Sequence, residues 1–96
     1  METLFIALAR PKFPLGETVI TTNARDMLDP MDVEQGLSRH ARGDWGELCE
    51  QDTQLNADAL THGGRLMSVF GQGDSRFWII TECDRSVTTV LMPQDY

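Results

Sequence analysis

Residues 76–93 read Arg-Phe-Trp-Ile-Ile-Thr-Glu-Cys-Asp-Arg-Ser-Val-Thr-Thr-Val-Leu-Met-Pro (RFWIITECDRSVTTVLMP). This is the one dense run of β-branched and aromatic residues, and a short polar turn interrupts it. Such residues fit a pleated, half-buried surface. The stretch therefore predicts a β-hairpin at the centre of a small sheet. Phe77–Thr81 is nearly continuous in apolar character and is the expected central strand, Cys83–Arg85 the turn, and Val87–Met92 the last strand, which Pro93 stops. The turn and following strand also hold a polar set: Thr81, Glu82, Asp84, Arg85, Ser86, Thr88 and Thr89.

Working towards the N-terminus, Leu66–Phe70 reads as a strand. It is joined to Phe77–Thr81 by Gly71-Gln72-Gly73-Asp74-Ser75, a five-residue hairpin turn with two glycines. Before it lie helical patterns. Asp29 caps a helix with Pro30 in its first position, where a missing N–H does no harm. That helix runs to about Arg42. Val33, Leu37 and His40 or Ala41 share a face, and Gly43 ends it as a left-handed cap. Asp44 and Glu47 have capping-box spacing for a short helix over Trp45–Glu50. Asp52 or Thr53 caps a further helix, with Leu55, Ala59 and Leu60 facing inward, ending at His62-Gly63-Gly64. Thr22 or Asn23 caps a short helix over Ala24–Leu28. Glu17–Thr21 is a strand that pairs at an edge, and Leu4–Ala9 is an edge strand or an ordered arm. Pro11 and Pro14 forbid regular helix between the two. The order predicts a single α+β domain over residues 1–96. Its small antiparallel sheet of three to four strands has two to four short helices packed on one face.

Composition narrows the function. The chain has 96 residues and a net charge of −7, and a single core of that size buries roughly 60–65% of the unfolded surface. Asp44, Glu47, Glu50, Asp52 and Asp58 fall in one segment with no Lys or Arg, and Lys12 is the only lysine. A duplex-DNA binder needs a basic face to neutralise phosphates. Nonspecific duplex binding is thus not expected, and a protein partner with a basic surface is. No apolar run approaches the ~20 residues that span a bilayer, and no targeting segment is evident. Expectation is a cytoplasmic chain without membrane contact, with homo-oligomerisation open. Cys49 and Cys83 have no CxxC spacing and read as small buried residues. His40, His62 and the two cysteines have no zinc-ligand spacing. With no P-loop, GxGxxG, GxSxG or HExxH present, neither metal nor cofactor is expected.

Two stretches hold residues suited to chemistry. Arg39-His40-Ala41-Arg42-Gly43-Asp44-Trp45-Gly46 puts a histidine, two arginines, a carboxylate and a tryptophan around a helix break. Trp45 there is an exposed anchor or a buried plug. The polar turn of the hairpin is the other. Combined, they suggest a metal-free RNA-cleaving site, with His40 as acid and base and Arg85, Thr88 and Thr89 on the phosphate. Structural roles compete at each position. His40 suits a helix C-terminus, Asp44 a cap, and Arg85 an ion pair with Glu82 or Asp84.

Five segments together carry a resemblance: FPLG, RHARGDWGEL, LN followed by AL, GGRLMSVF and WIITECDRSVTTVLMPQDY. From Phe13 to Tyr96 the chain resembles a family of small bacterial proteins associated with plasmids, phages and integrative elements. Some of these are labelled plasmid-related protein or restriction-system subunit. The resemblance supplies no catalytic residue, and a methyltransferase role would need a cofactor-binding glycine motif that is absent here. What it implies is context: a small acidic protein of a mobile element that acts by binding a host or defence protein. The partner-binding residues expected on that reading are Asp44, Trp45, Glu47, Glu50, Asp52, Asp58, Asp84 and Arg85.

Overall fold

The computed structural model describes residues 1–8 and 10–96. Its elements are β1 (Glu2–Leu4), β2 (Glu17–Ile20), α1 (Thr22–Met27), α2 (Pro30–Ala41), α3 (Glu50–His62), β3 (Leu66–Phe70), β4 (Phe77–Thr81) and β5 (Val87–Leu91). The α+β class and the β3–β4–β5 meander are as the sequence predicts. The sheet is larger and of a different kind, with five strands in the order β1-β2-β5-β4-β3. It is mixed, because β2 runs parallel to β5 while the other neighbours are antiparallel. This puts β5 at the centre and makes β2 an interior strand. Glu2–Leu4 takes the edge, and Ala9, the end of the predicted arm, lies outside the described residues.

Alternation along the strands divides the sheet into two faces. Leu66, Phe70, Phe77, Ile79, Val90 and Ile20 point to one face and join Ala24 and Leu28 of the α1 region, Val33, Leu37 and Ala41 of α2, and Ala59 of α3 in one core. All three helices therefore lie on this face. Residues of the opposite set, Val69, Ile80 and Leu91, are buried but stand outside that core. Tyr96 covers part of their face, with its ring edge-on to Trp78 at 5.5 Å and its hydroxyl accepting from Arg65 at 2.8 Å.

Helix ends follow the capping logic, with shifts of a residue or two. Thr21 accepts from the Ala24 N–H at 3.1 Å and caps α1, one residue earlier than expected. Asp29 accepts from Met31 N–H at 2.8 Å, with Pro30 opening α2. Gly43 adopts φ 82° just past the end of α2. The predicted helix over Trp45–Glu50 does not form. Glu47 N–H donates to Val69 O and Val69 N–H to Trp45 O, at 2.8 and 3.0 Å, so this backbone pairs with β3. α3 starts instead at Glu50, after Cys49. Both cysteines are exposed, Cys49 at this helix start and Cys83 in the β4–β5 turn, which corrects their reading as buried residues.

α3 corrects a second expectation. Of Leu55, Ala59 and Leu60 only Ala59 is buried, while Leu55 is 59% and Leu60 38% exposed. The other inward residue is Asn56. Its amide donates to Met67 O at 2.7 Å and accepts from Met67 N–H at 3.2 Å. α3 thus meets the rim of β3, where unpaired backbone groups call for a polar partner, and not a broad apolar surface.

Candidate functional site

His40 lies at the centre of the polar cluster. It sits one turn beyond Leu37 on the inward side of α2, and its side chain is completely buried. Of the four polar residues at inward strand positions, Thr18, Ser68, Thr81 and Thr88, the last three build the network around it. Ser68 Oγ lies 2.5 Å from His40 Nδ1, and His40 Nε2 lies 2.9 Å from Thr81 Oγ1. Thr81 and Thr88 hydroxyls are 2.7 Å apart, and Thr88 donates to Leu15 O at 2.7 Å.

The last bond sets the direction of two others. Thr88 spends its hydrogen on a carbonyl, so Thr81 donates to Thr88 and His40 Nε2–H donates to Thr81. Complete burial keeps the ring neutral, so it is the Nε2–H tautomer and Nδ1 accepts from Ser68. Burial pushes its pKa from 6.5 down to about 3, because a desolvated cation is disfavoured. Phe13 and Trp45 close the pocket, each with its ring edge-on to the imidazole, at 5.3 and 5.4 Å between centroids. They also stack on each other at 6.1 Å. Trp45 is half-buried and acts as a plug. Among the described residues no buried side-chain nitrogen or oxygen lacks a partner, so this network is complete without a ligand.

Arg85 also lies against Phe13, its guanidinium carbon 5.9 Å from that ring's centroid. The two nominated groups are thus neighbours, but neither faces a common open space. Arg85 adopts φ 61° in the hairpin turn. Its guanidinium donates to Gly64 O, Glu82 O and Cys83 O through one nitrogen, and to Ala59 O through the other. It therefore satisfies carbonyls at the C-terminal end of α3, where a cation also complements the helix dipole. Thr88 and Thr89 point to opposite faces of β5, with Thr88 buried and Thr89 half-buried. His40, Thr88 and Thr89 thus do not converge on one open space. Ser68, which completes the cluster, is missing from the sequence expectations. Its signal is the alternation Leu66-Ser68-Phe70, which places a hydroxyl on a buried face where it needs a partner.

The other nominated residues are at the surface. Asp44 takes two bonds from Arg39, at 2.8 and 3.3 Å, and accepts from Gly46 N–H at 3.2 Å. The Arg39 bond holds its carboxyl below the usual range. Asp84 is held low by the Ser86 hydroxyl and N–H, which it accepts at 2.6 and 3.0 Å. Glu47, Glu50, Asp52 and Asp58 are exposed. Glu50 and Asp52 lie in the first turn of α3, where carboxylates are favoured, and Asp58 accepts from Gln54 at 3.3 Å. Asp52, Leu55 and Asp58 follow one another at three-residue spacing and so lie along one side of the helix. The structure thus brings the acidic residues together on the loop before α3 and on α3 itself, and leaves Asp84 and Arg85 in the turn beyond its other end.

No family model, curated protein or solved structure matches the chain. Among the described residues, no His, Cys, Asp or Glu side chains form a group of three that could hold a metal ion, and no helix is long and apolar enough to cross a membrane.

Proposed function

We propose that the chain is a small acidic protein-binding protein, an inhibitor or accessory factor of a mobile genetic element. Its target would be a cytoplasmic protein with a basic surface, such as a component of a host defence or restriction system. The observation that carries this reading is Leu55. It is 59% exposed on a helix that gives only Asn56 and Ala59 to the interior, and Asp52 and Asp58 flank it. An apolar anchor bordered by carboxylates suits a hydrophobic spot in a basic groove: the anchor supplies affinity, and the acids supply steering and selectivity. The resemblance to proteins of mobile elements supplies the biological setting. The RNA-cleaving alternative has less support, because a general base must reach its substrate's proton and His40 has no exposed surface.

The test is paired affinity capture from host lysate with the wild type and a Leu55→Lys/Asp58→Lys variant. Both substitutions lie beyond the first turn of α3, so they leave the helix start alone. The expected result is a partner that the wild type retains, that rising salt releases, and that the variant loses at unchanged Tm. Equal capture by both proteins refutes the reading.

A further inference from the structure

The two rims of the sheet are built differently. At the β3 rim, Val69 is paired by the backbone of residues 45–47, and Met67 by the Asn56 amide. Among the described residues, none covers the β1 rim in this way. Its geometry follows from the hydrogen bonds of β2. Glu17 N–H donates to Ser86 O and Thr21 N–H to Val90 O, at 2.9 and 3.0 Å, so the odd-numbered residues of β2 turn their backbone towards β5. Thr18 and Ile20 then turn towards β1, where their opposite residues are Leu4 and Glu2. Thr3, opposite Val19, directs its N–H and C=O away from the sheet.

We propose that a second copy of this chain covers this rim, with β1 pairing antiparallel to its own image about a two-fold axis at Thr3. Three observations favour a second copy. First, Thr3 presents one donor and one acceptor side by side, and an identical residue opposite it satisfies both. Second, this register sets Met1, 81% exposed, against Phe5 of the second copy, 94% exposed, and it does so twice. A thioether against an aromatic ring is a favourable pair. Third, β1 itself sets no like charges face to face, the Glu17 carboxylate that accepts from the Thr3 hydroxyl at 3.1 Å being the one nearest the axis. Glu2, the one charged residue of β1, lies opposite Leu4 of the second copy and not its own image, and Arg25 already pairs with it at 3.5 Å. The acidic α3 packs by β3, at the other end of the strand order. The two most negative regions are therefore carried to opposite ends of the joined sheet.

The test is sedimentation velocity on the full chain over concentrations up to about 1 mM, for the wild type, Thr3→Pro and Phe5→Asp. Proline at position 3 removes the N–H that faces outward and leaves the β1–β2 bonds of Glu2 and Leu4 in place. Phe5→Asp alters a side chain almost fully in solvent, so it keeps the test valid if the proline variant folds poorly. The expected result is a concentration-dependent dimer for the wild type, with association weakened at least 10-fold in both variants and dilute-solution melting unchanged. A wild type that stays monomeric throughout overturns the proposal, whether or not another protein binds this rim. So does a dimer that neither substitution weakens.

Discussion

Acid should unfold this protein through one imidazole. The folded chain holds His40 neutral down to about pH 3, whereas the unfolded chain protonates it near 6.5. Between these values the unfolded state binds a proton that the folded state refuses. Stability is then fully present above 6.5 and falls as pH drops towards 3. At 1.36 kcal/mol per unit, the loss is about 2 kcal/mol at pH 5 and about 5 kcal/mol once the gap is crossed. A domain of this size has on the order of 5–14 kcal/mol in all. The structural reason is the bond order around the ring. A proton on Nδ1 turns Ser68 from donor to acceptor and strands its hydrogen in the core, with no carboxylate in contact with the new charge. The carboxyls held low, Asp44, Asp84 and Asp95, act in the same direction, but only from the ordinary carboxylate value downward, so the upper part of the window belongs to His40. Urea unfolding at about pH 7.5, 6 and 5 measures the slope. His40→Gln, which keeps a donor and an acceptor but takes no proton, supplies the reference. The wild type should approach 1.4 kcal/mol per pH unit below 6.5, and the variant should be nearly flat down to pH 5. Equal slopes, or a His40 imidazole that titrates near 6.5 by NMR in the folded protein, would refute the reasoning.

Two further perturbations test the scaffold. Arg85→Ala should lower stability by about 3 kcal/mol, since it strips a charged donor from four carbonyls. Arg85→Lys should recover less than half, because an ammonium cannot reproduce the fork, and chemical denaturation distinguishes the two. Gly46→Ala should cost more than about 2 kcal/mol, whereas Gly73→Ala, with open space around the new methyl, should cost about 1 kcal/mol. The contrast arises because a Cβ at Gly46 would stand 2.1 Å from Val69 O at φ 68°, while nothing lies within 4 Å at Gly73; thermal melts of the two variants measure it.

Local signals carried much of the fold. The β4–β5 hairpin, the Asp29-Pro30 start of α2 and the left-handed Gly43 all follow from residues a few positions apart, and there the reading matches. What the sequence did not disclose depends on distant partners. The parallel pairing of Glu17–Ile20 with Val87–Leu91 joins segments about 70 positions apart, and no turn chemistry announces such a contact. Asn56 illustrates the same limit. Periodicity assigns the inward side of α3 to its leucines, but the surface it meets is a strand rim, and an amide outcompetes a leucine there. His40 is the instructive case. Its spacing from Val33 and Leu37 already placed it inside, and the same spacing that suggested a positioned base was the evidence for burial.

The Asn56 amide has a consequence for how far assembly can run. A sheet with one open rim can accept one neighbour and is then complete. A sheet with two open rims can accept neighbours at both ends, and nothing in its geometry tells it to stop. By standing in for a missing strand at Met67, beside the backbone of residues 45–47 at Val69, this side chain helps to close the β3 rim, so any strand-to-strand growth through the other rim would be finite. In such an assembly Asn56 would limit the stoichiometry as well as hold a helix in place.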